Sequence, residues 1–138
     1  MVKQNVRQLT TAAMIAGLYV VIGTIFAPVS FGPIQFRISE ALTILAVFSP
    51  FMAGAVTVGC GIFNLIGFML GLNPLLMDVV FGTFATGVAA LMTWRLGHIR
   101  FKGYPILAVL PPILINAIII GGEITWLMTN SVFGNIKV

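Results

Sequence analysis

The sequence predicts an all-α integral membrane protein, a compact helical bundle of about five spans. Two observations predict it. The chain is 59% apolar and only 7% charged, against ~25% charged residues in a typical soluble domain. Its mean hydropathy is +1.13. With 138 residues there is room for one domain of about five spans at ~20 residues each. We place them at about 9–27, 38–48, 51–70, 77–94 and 104–122 within a single transmembrane domain, 1–138. The net charge of +4 does not point to nucleic acid, because the seven basic residues must also fix the topology.

The first span follows Lys3 and Arg7. Excess Lys and Arg marks the cytoplasmic side, so the N-terminus is expected inside. The apolar run is too long for a signal-peptide core and lacks a small-residue cleavage site, so it is read as a helix that stays. Ala12 with Ala16, and Ala13 with Gly17, form two small-xxx-small pairs. Such pairs allow close helix approach in lipid. They serve either internal packing or docking of another membrane protein.

The next stretch, Phe31-Gly32-Pro33-Ile34-Gln35-Phe36-Arg37-Ile38-Ser39-Glu40-Ala41-Leu42, is read as the functional centre. Gly32-Pro33 breaks whatever precedes it. If a helix resumes at Ile38, Arg37 and Glu40 share one face and can pair with each other or with a polar ligand. Charge near hydrocarbon costs ~2.5–3.5 kcal/mol on insertion scales, so two such residues imply a use.

The second span is short, Ile38 to Phe48, and is divided from the third at Ser49-Pro50. The division follows from charge. The basic cluster Arg95, Arg100 and Lys102, with His98 among it, lies on the same side as Lys3 and Arg7 only if an even number of spans intervenes. In the third span, Gly59-Cys60-Gly61 is not a dinucleotide fingerprint, because Asn64 stands where the last glycine belongs. Gly67 and Gly71 form a GxxxG, a packing pattern. Asn64 makes either one interhelical hydrogen bond or a ligand contact. Cys60 stands alone, which excludes a disulfide framework and a cysteine-based metal site.

The fourth span opens near Asp78, whose acid suits a helix N-terminus and is equally a candidate at the outer mouth. Thr83 and Thr86 can satisfy themselves on their own backbone. The fifth span carries Pro111-Pro112 in its middle, then Asn116, and closes at Gly121-Gly122-Glu123. A helix broken there is tolerated where protein or water meets the released carbonyls, which suggests a cavity wall. Ile124 to Val132 is too short to span and reads as re-entrant or interfacial, with Trp126 suited to an interface.

Several chemistries are missing. No Gly-x4-Gly-Lys-Ser/Thr loop is present to cradle a nucleotide triphosphate. The single His98 lies in the basic loop, so neither a Ser/His/Asp set nor a His-based metal site can be assembled. No cofactor is expected, and the chain does not read as an enzyme. Arg37, Glu40, Asp78 and Glu123 all fall on the outer side, which is what a capture subunit without its own energy coupling needs. The alternatives are a capture subunit for another small vitamin-like solute, or a non-transport membrane assembly subunit with Arg37 and Glu40 locking helices.

The run from Phe31 to Leu42 resembles the queuosine-precursor transporter (QueT-like) family, the substrate-capture (S) components of energy-coupling-factor transporters. Supporting pieces are Gly59-Cys-Gly…Asn64, Asp78-Val-Val-Phe-Gly82-Thr-Phe-Ala-Thr86 and Leu110-Pro-Pro-Ile-Leu-Ile-Asn116, over about residues 7–123. The resemblance implies a six-helix fold, here with the last helix missing or degenerate, in a bacterial cytoplasmic membrane. It implies an outward site for a 7-deazaguanine such as preQ1 or preQ0, and partnership with a transmembrane coupling protein and two ATPase subunits. It also implies a docking face on first-helix small residues, Ala12 and Ala16 here. Glu40 is then expected to read the guanine edge with Arg37 orienting it. Asp78 or Glu123 would take an aminomethyl cation, and Gln35, Asn64 and Asn116 would fill the remaining polar contacts.

Overall fold

The computed structural model describes residues 2–31, 37–72, 76–99 and 105–134. Helices α1 (Val2–Ile25), α3 (Pro50–Met69), α4 (Leu76–Leu96) and α5 (Leu110–Gly134) form its body, with a single helical turn α2 (Ala27–Ser30) after α1. Two 3-10 helices complete it, Ile38–Phe48 and Ile106–Val109. Among the described residues, three helical segments are long and apolar enough to cross a membrane: Asn5–Ile25, Pro50–Met69 and Val79–Leu96. Ile38–Phe48 and Ile106–Gly122 are shorter apolar helical stretches. The protein is an all-α membrane bundle.

Neighbours in the bundle run α1, α3, α4, α5, and the 3-10 helix Ile38–Phe48 packs against α1, α3 and α4. Small residues set the spacing. A Cβ on Gly59 would lie 3.0 Å from the Ala16 carbonyl oxygen and 3.1 Å from its Cα. Only glycine there lets α1 and α3 backbones touch. The core where these elements meet is Tyr19, Val56, Cys60 and Phe63, all buried.

The chain breaks at Ser49, which is extended and whose hydroxyl accepts from Met52 N at 3.3 Å. Pro50 takes the first helical position, where its missing N–H costs nothing. Helix α3 ends in a Schellman turn: Leu72 N donates to Gly67 O at 2.9 Å and Gly71 N to Phe68 O at 3.0 Å. Gly71 has φ +70°, the left-handed conformation that glycine adopts without Cβ strain. Gly67 and Gly71 are therefore not a helix-packing pair. Gly71 caps, and Gly67 seats the ring of Phe31 so closely that no side chain would fit.

The last helix corrects the reading of the fifth span. Pro111 and Pro112 do not interrupt a helix; they lie in the first turn of α5, after the 3-10 turn Ile106–Val109. The first four N–H groups of a helix have no intrahelical acceptor, so prolines are tolerated there. Gly121, Gly122 and Glu123 do not close the helix either, since α5 continues to Gly134 and absorbs the stretch read as re-entrant. Against α4 it leaves an apolar groove of about 520 Å³ lined by Met77, Phe81, Phe84, Ile119 and Trp126.

Candidate functional site

The site grows from the winding of Ile38–Phe48. A 3-10 helix has three residues per turn, so residues at i, i+3 and i+6 eclipse in a straight line. Arg37, at its N-cap, Glu40, Thr43 and Ala46 fall on that line. Arg37, Thr43 and Ala46 are buried and Glu40 is half-buried. Ala41 and Ile44, on another edge, are exposed. The winding thus turns a seam of one base, one acid and one hydroxyl inward, against α1, α3 and α4.

Each neighbouring helix supplies a group to that seam. From α1, the fully buried Tyr19 donates its hydroxyl to Glu40 Oε1 at 2.7 Å. Thr86 of α4 donates to the same oxygen at 2.8 Å. Thr43 donates to Oε2 at 3.1 Å. Three hydroxyls on one carboxylate, from three elements, satisfy most of its acceptor capacity of about four positions. Among the described residues these hydroxyls, rather than Arg37, are the hydrogen-bond donors to Glu40.

Below the carboxylate lies Cys60 of α3. Its Sγ is 3.2 Å from Thr86 Oγ1, 3.4 Å from Asn64 Nδ2, and 3.9 Å from Arg37 Nη1. The Gly82 carbonyl is 3.8 Å away. Thiol, amide, guanidinium and hydroxyl form one continuous polar network through the middle of the bundle. Such a network is costly unless its members partner one another.

An aromatic cluster adjoins it through Tyr19. The Tyr19 ring meets Phe63 edge-on at 6.5 Å, and Phe63 stacks on Phe31 at 4.9 Å with 19° between planes. Phe31 is seated on Gly67, and Phe63 packs on Gly23. Two hydroxyls near this end, Ser30 and Ser39, are fully buried without a hydrogen-bond partner among the described residues.

The structure brings together Arg37, Glu40 and Asn64 of the residues predicted from sequence. Asn116 stays apart on α5; among the described residues its Oδ1 is buried without a hydrogen-bond partner, and no hydrogen bond joins it to the network. Gln35 lies outside the described residues, as do the side chains of Asp78 and Glu123. Thr86 requires a correction. It does not turn to its own backbone but reaches Glu40, whereas Thr83 does bond its own helix, at Val79 O. Sequence reasoning also missed Tyr19, Thr43 and Cys60. Thr43, three positions after Glu40, carried a usable signal, the same spacing that singled out Arg37. Among the described residues no group of His, Cys, Asp and Glu could hold a metal ion.

On the first helix, Ala12 and Ala16 are half-buried while Ala13 and Gly17 are exposed. Ala16 packs on Gly59, and a Cβ on Gly17 would meet nothing within 4 Å. An open groove of about 500 Å³ runs between Ala12, Ala13 and Ala16 on one side and Phe51, Gly54 and Val58 on the other.

Apolar helices around a polar network centred on one acid define a multi-pass membrane protein with an internal polar site. A family model described as QueT transporter matches residues 9–138, and the chain belongs to the QueT transporter family. It is 35% identical over 106 residues to the queuosine precursor transporter QueT of Lactococcus lactis subsp. cremoris (strain MG1363), covering 75% of this chain and 57% of that protein. The chain thus spans somewhat over half the length of that curated relative. No solved structure matches it.

Proposed function

We propose that this chain is the membrane-embedded substrate-binding (S) component of an ATP-driven energy-coupling-factor importer, and that it captures a queuosine precursor of the 7-deazaguanine class. The observation that carries the reading is Glu40. It is a half-buried carboxylate at a junction of four elements, with an aromatic stack beside it. A guanine edge offers an N–H and an amino group, which suit a carboxylate. Its planar face suits the aromatic cluster around Phe31 and Phe63. The name of the Lactococcus relative supports the same ligand class.

In this reading Asn64 and Asn116 provide further polar contacts, with Gln35, and Asp78 or Glu123 meets the cation of an aminomethyl ligand. The exposed pair Ala13 and Gly17, with the groove beside Ala12 and Ala16, faces a transmembrane coupling protein that carries two ATPase subunits. The N-terminus and the Arg95 cluster are cytoplasmic, in a bacterial cytoplasmic membrane.

A second reading has its own support. The three hydroxyls that already bond Glu40 are what a helix lock in a non-transport assembly subunit would show. Mass spectrometry of the detergent-purified full chain, followed by calorimetric titration with 7-aminomethyl-7-deazaguanine, separates the two. Retention of a deazaguanine and saturable binding are expected of the transporter component. An empty protein that does not bind leaves Glu40 as a lock.

A further inference from the structure

The donors on Glu40 are not equivalent. Tyr19 is fully buried, and its hydroxyl donates to Glu40 Oε1 at 2.7 Å, with the Cys60 thiol as its other polar neighbour among the described residues. Leaving the carboxylate would leave it only that thiol, a weak acceptor. Thr86 is different, because a threonine in an α-helix can turn its hydroxyl onto the carbonyl four residues earlier. Thr24, Thr57 and Thr83 do so in this protein, at Val20, Ala53 and Val79. For Thr86 that carbonyl is Gly82 O, which already lies in the network, 3.8 Å from Cys60 Sγ. A carbonyl oxygen has two lone pairs and can accept from both groups.

Acceptor arithmetic on the carboxylate gives this difference a function. Oε1 holds Tyr19 and Thr86, and Oε2 holds Thr43 alone. Among the described residues, one position, on Oε2, is therefore left for a ligand donor. A ligand with two adjacent N–H donors needs one position on each oxygen, and the departure of Thr86, the donor on Oε1 with a carbonyl to turn to, provides the second.

We propose that Thr86 is an exchangeable donor that competes with the second N–H of a paired-edge ligand for Glu40 Oε1 and so moderates the preference of the site for such ligands. On binding, Thr86 turns from Glu40 Oε1 to the Gly82 carbonyl, and the second ligand donor takes its place. Tyr19 and Thr43 stay and hold the carboxylate in position. A ligand with a single N–H uses only the open position on Oε2 and leaves Thr86 where it is. The inference rests on the deazaguanine reading above and adds the residue that sets the donor count.

The test compares 7-deazaguanine, with its ring N–H and amino group, and 7-deazahypoxanthine, which lacks the amino group. Both are titrated into the detergent-purified full chain and into Thr86→Val. In the variant no hydrogen bond need be exchanged, so the preference for 7-deazaguanine should rise about three- to tenfold over wild type. Affinity for 7-deazahypoxanthine should stay within about twofold. Tyr19→Phe should weaken both ligands. Thr86→Ala reads the same ratio if the valine variant does not fold. A preference that is unchanged or reduced in the Thr86 variants overturns the exchange and leaves the deazaguanine reading standing. Failure of the wild-type chain to bind either compound removes that reading and the exchange with it.

Discussion

Glu40→Gln keeps the size of the side chain and changes one acceptor oxygen into a donor. The free protein can accommodate this. The amide oxygen can face Tyr19 and Thr86, which now share Oε1 at 2.7 and 2.8 Å, while the amide nitrogen faces Thr43. The Thr43 hydroxyl, at 3.1 Å, can rotate to accept instead of donating. All three neighbours remain bonded, so thermal stability should change little. The liganded state cannot adapt in this way. One of the two donors on a guanine edge would meet the new NH2, and a buried donor left facing a donor costs about 2–4 kcal/mol in lost hydrogen bonding and desolvation. That corresponds to roughly a 30- to 1,000-fold loss of affinity. Calorimetry on wild type and variant, paired with thermal unfolding in the same detergent, reads both quantities. Near-native affinity would refute the assignment of Glu40 to the guanine edge. A large fall in stability at unchanged affinity would identify it as a helix lock.

Three further outcomes follow from the geometry. Single cysteines at Asn5 and His98 should label only from the cytoplasmic side, and at Val29 and Leu72 only from outside; all four positions are exposed, and the native thiol Cys60 is buried. Labelling of Asn5 and His98 from opposite faces would overturn the topology. Ala13→Leu combined with Gly17→Leu should abolish co-purification with a coupling subunit without altering ligand affinity, since neither side chain is buried; equal loss of ligand binding would mean that this face packs internally. Gly59→Ala should lower stability by about 1–3 kcal/mol through overpacking, because the new methyl meets the Ala16 backbone. Gly54→Ala, which meets nothing within 4 Å, should be neutral or stabilising by up to ~1 kcal/mol in thermal unfolding.

The membrane class was legible because composition averages over the whole chain and needs no pairing. Local signals were legible too. Serine followed by proline marks a helix start, and Ser49 does cap α3 with its hydroxyl. Where such a signal could be placed at either end of a helix, the reading failed. Pro111 and Pro112 open α5 instead of breaking it, because the 3-10 turn ahead of them ends the preceding segment. Partnerships across the chain were not legible at all. Thr86 is 46 residues from Glu40 and Tyr19 is 21, and no spacing rule links positions on separate helices. Thr86 on its own looks like any threonine able to bond its own backbone, and Cys60 like a residue notable only for lacking a partner cysteine.

The winding of Ile38–Phe48 also bears on reach. Its 11 residues rise ~2.0 Å each as a 3-10 helix, about 22 Å in all. As an α-helix the same residues would cover only about 16 Å. The hydrocarbon layer is ~30 Å thick, so the tighter winding would let a segment half the length of an ordinary span reach across most of it. The reach of this segment is therefore set by pitch as well as by residue count. Rewinding the segment as an α-helix would draw its two ends together by about 5 Å. It would also step successive residues by about 100° instead of about 120°, taking Arg37, Glu40 and Thr43 off their common line.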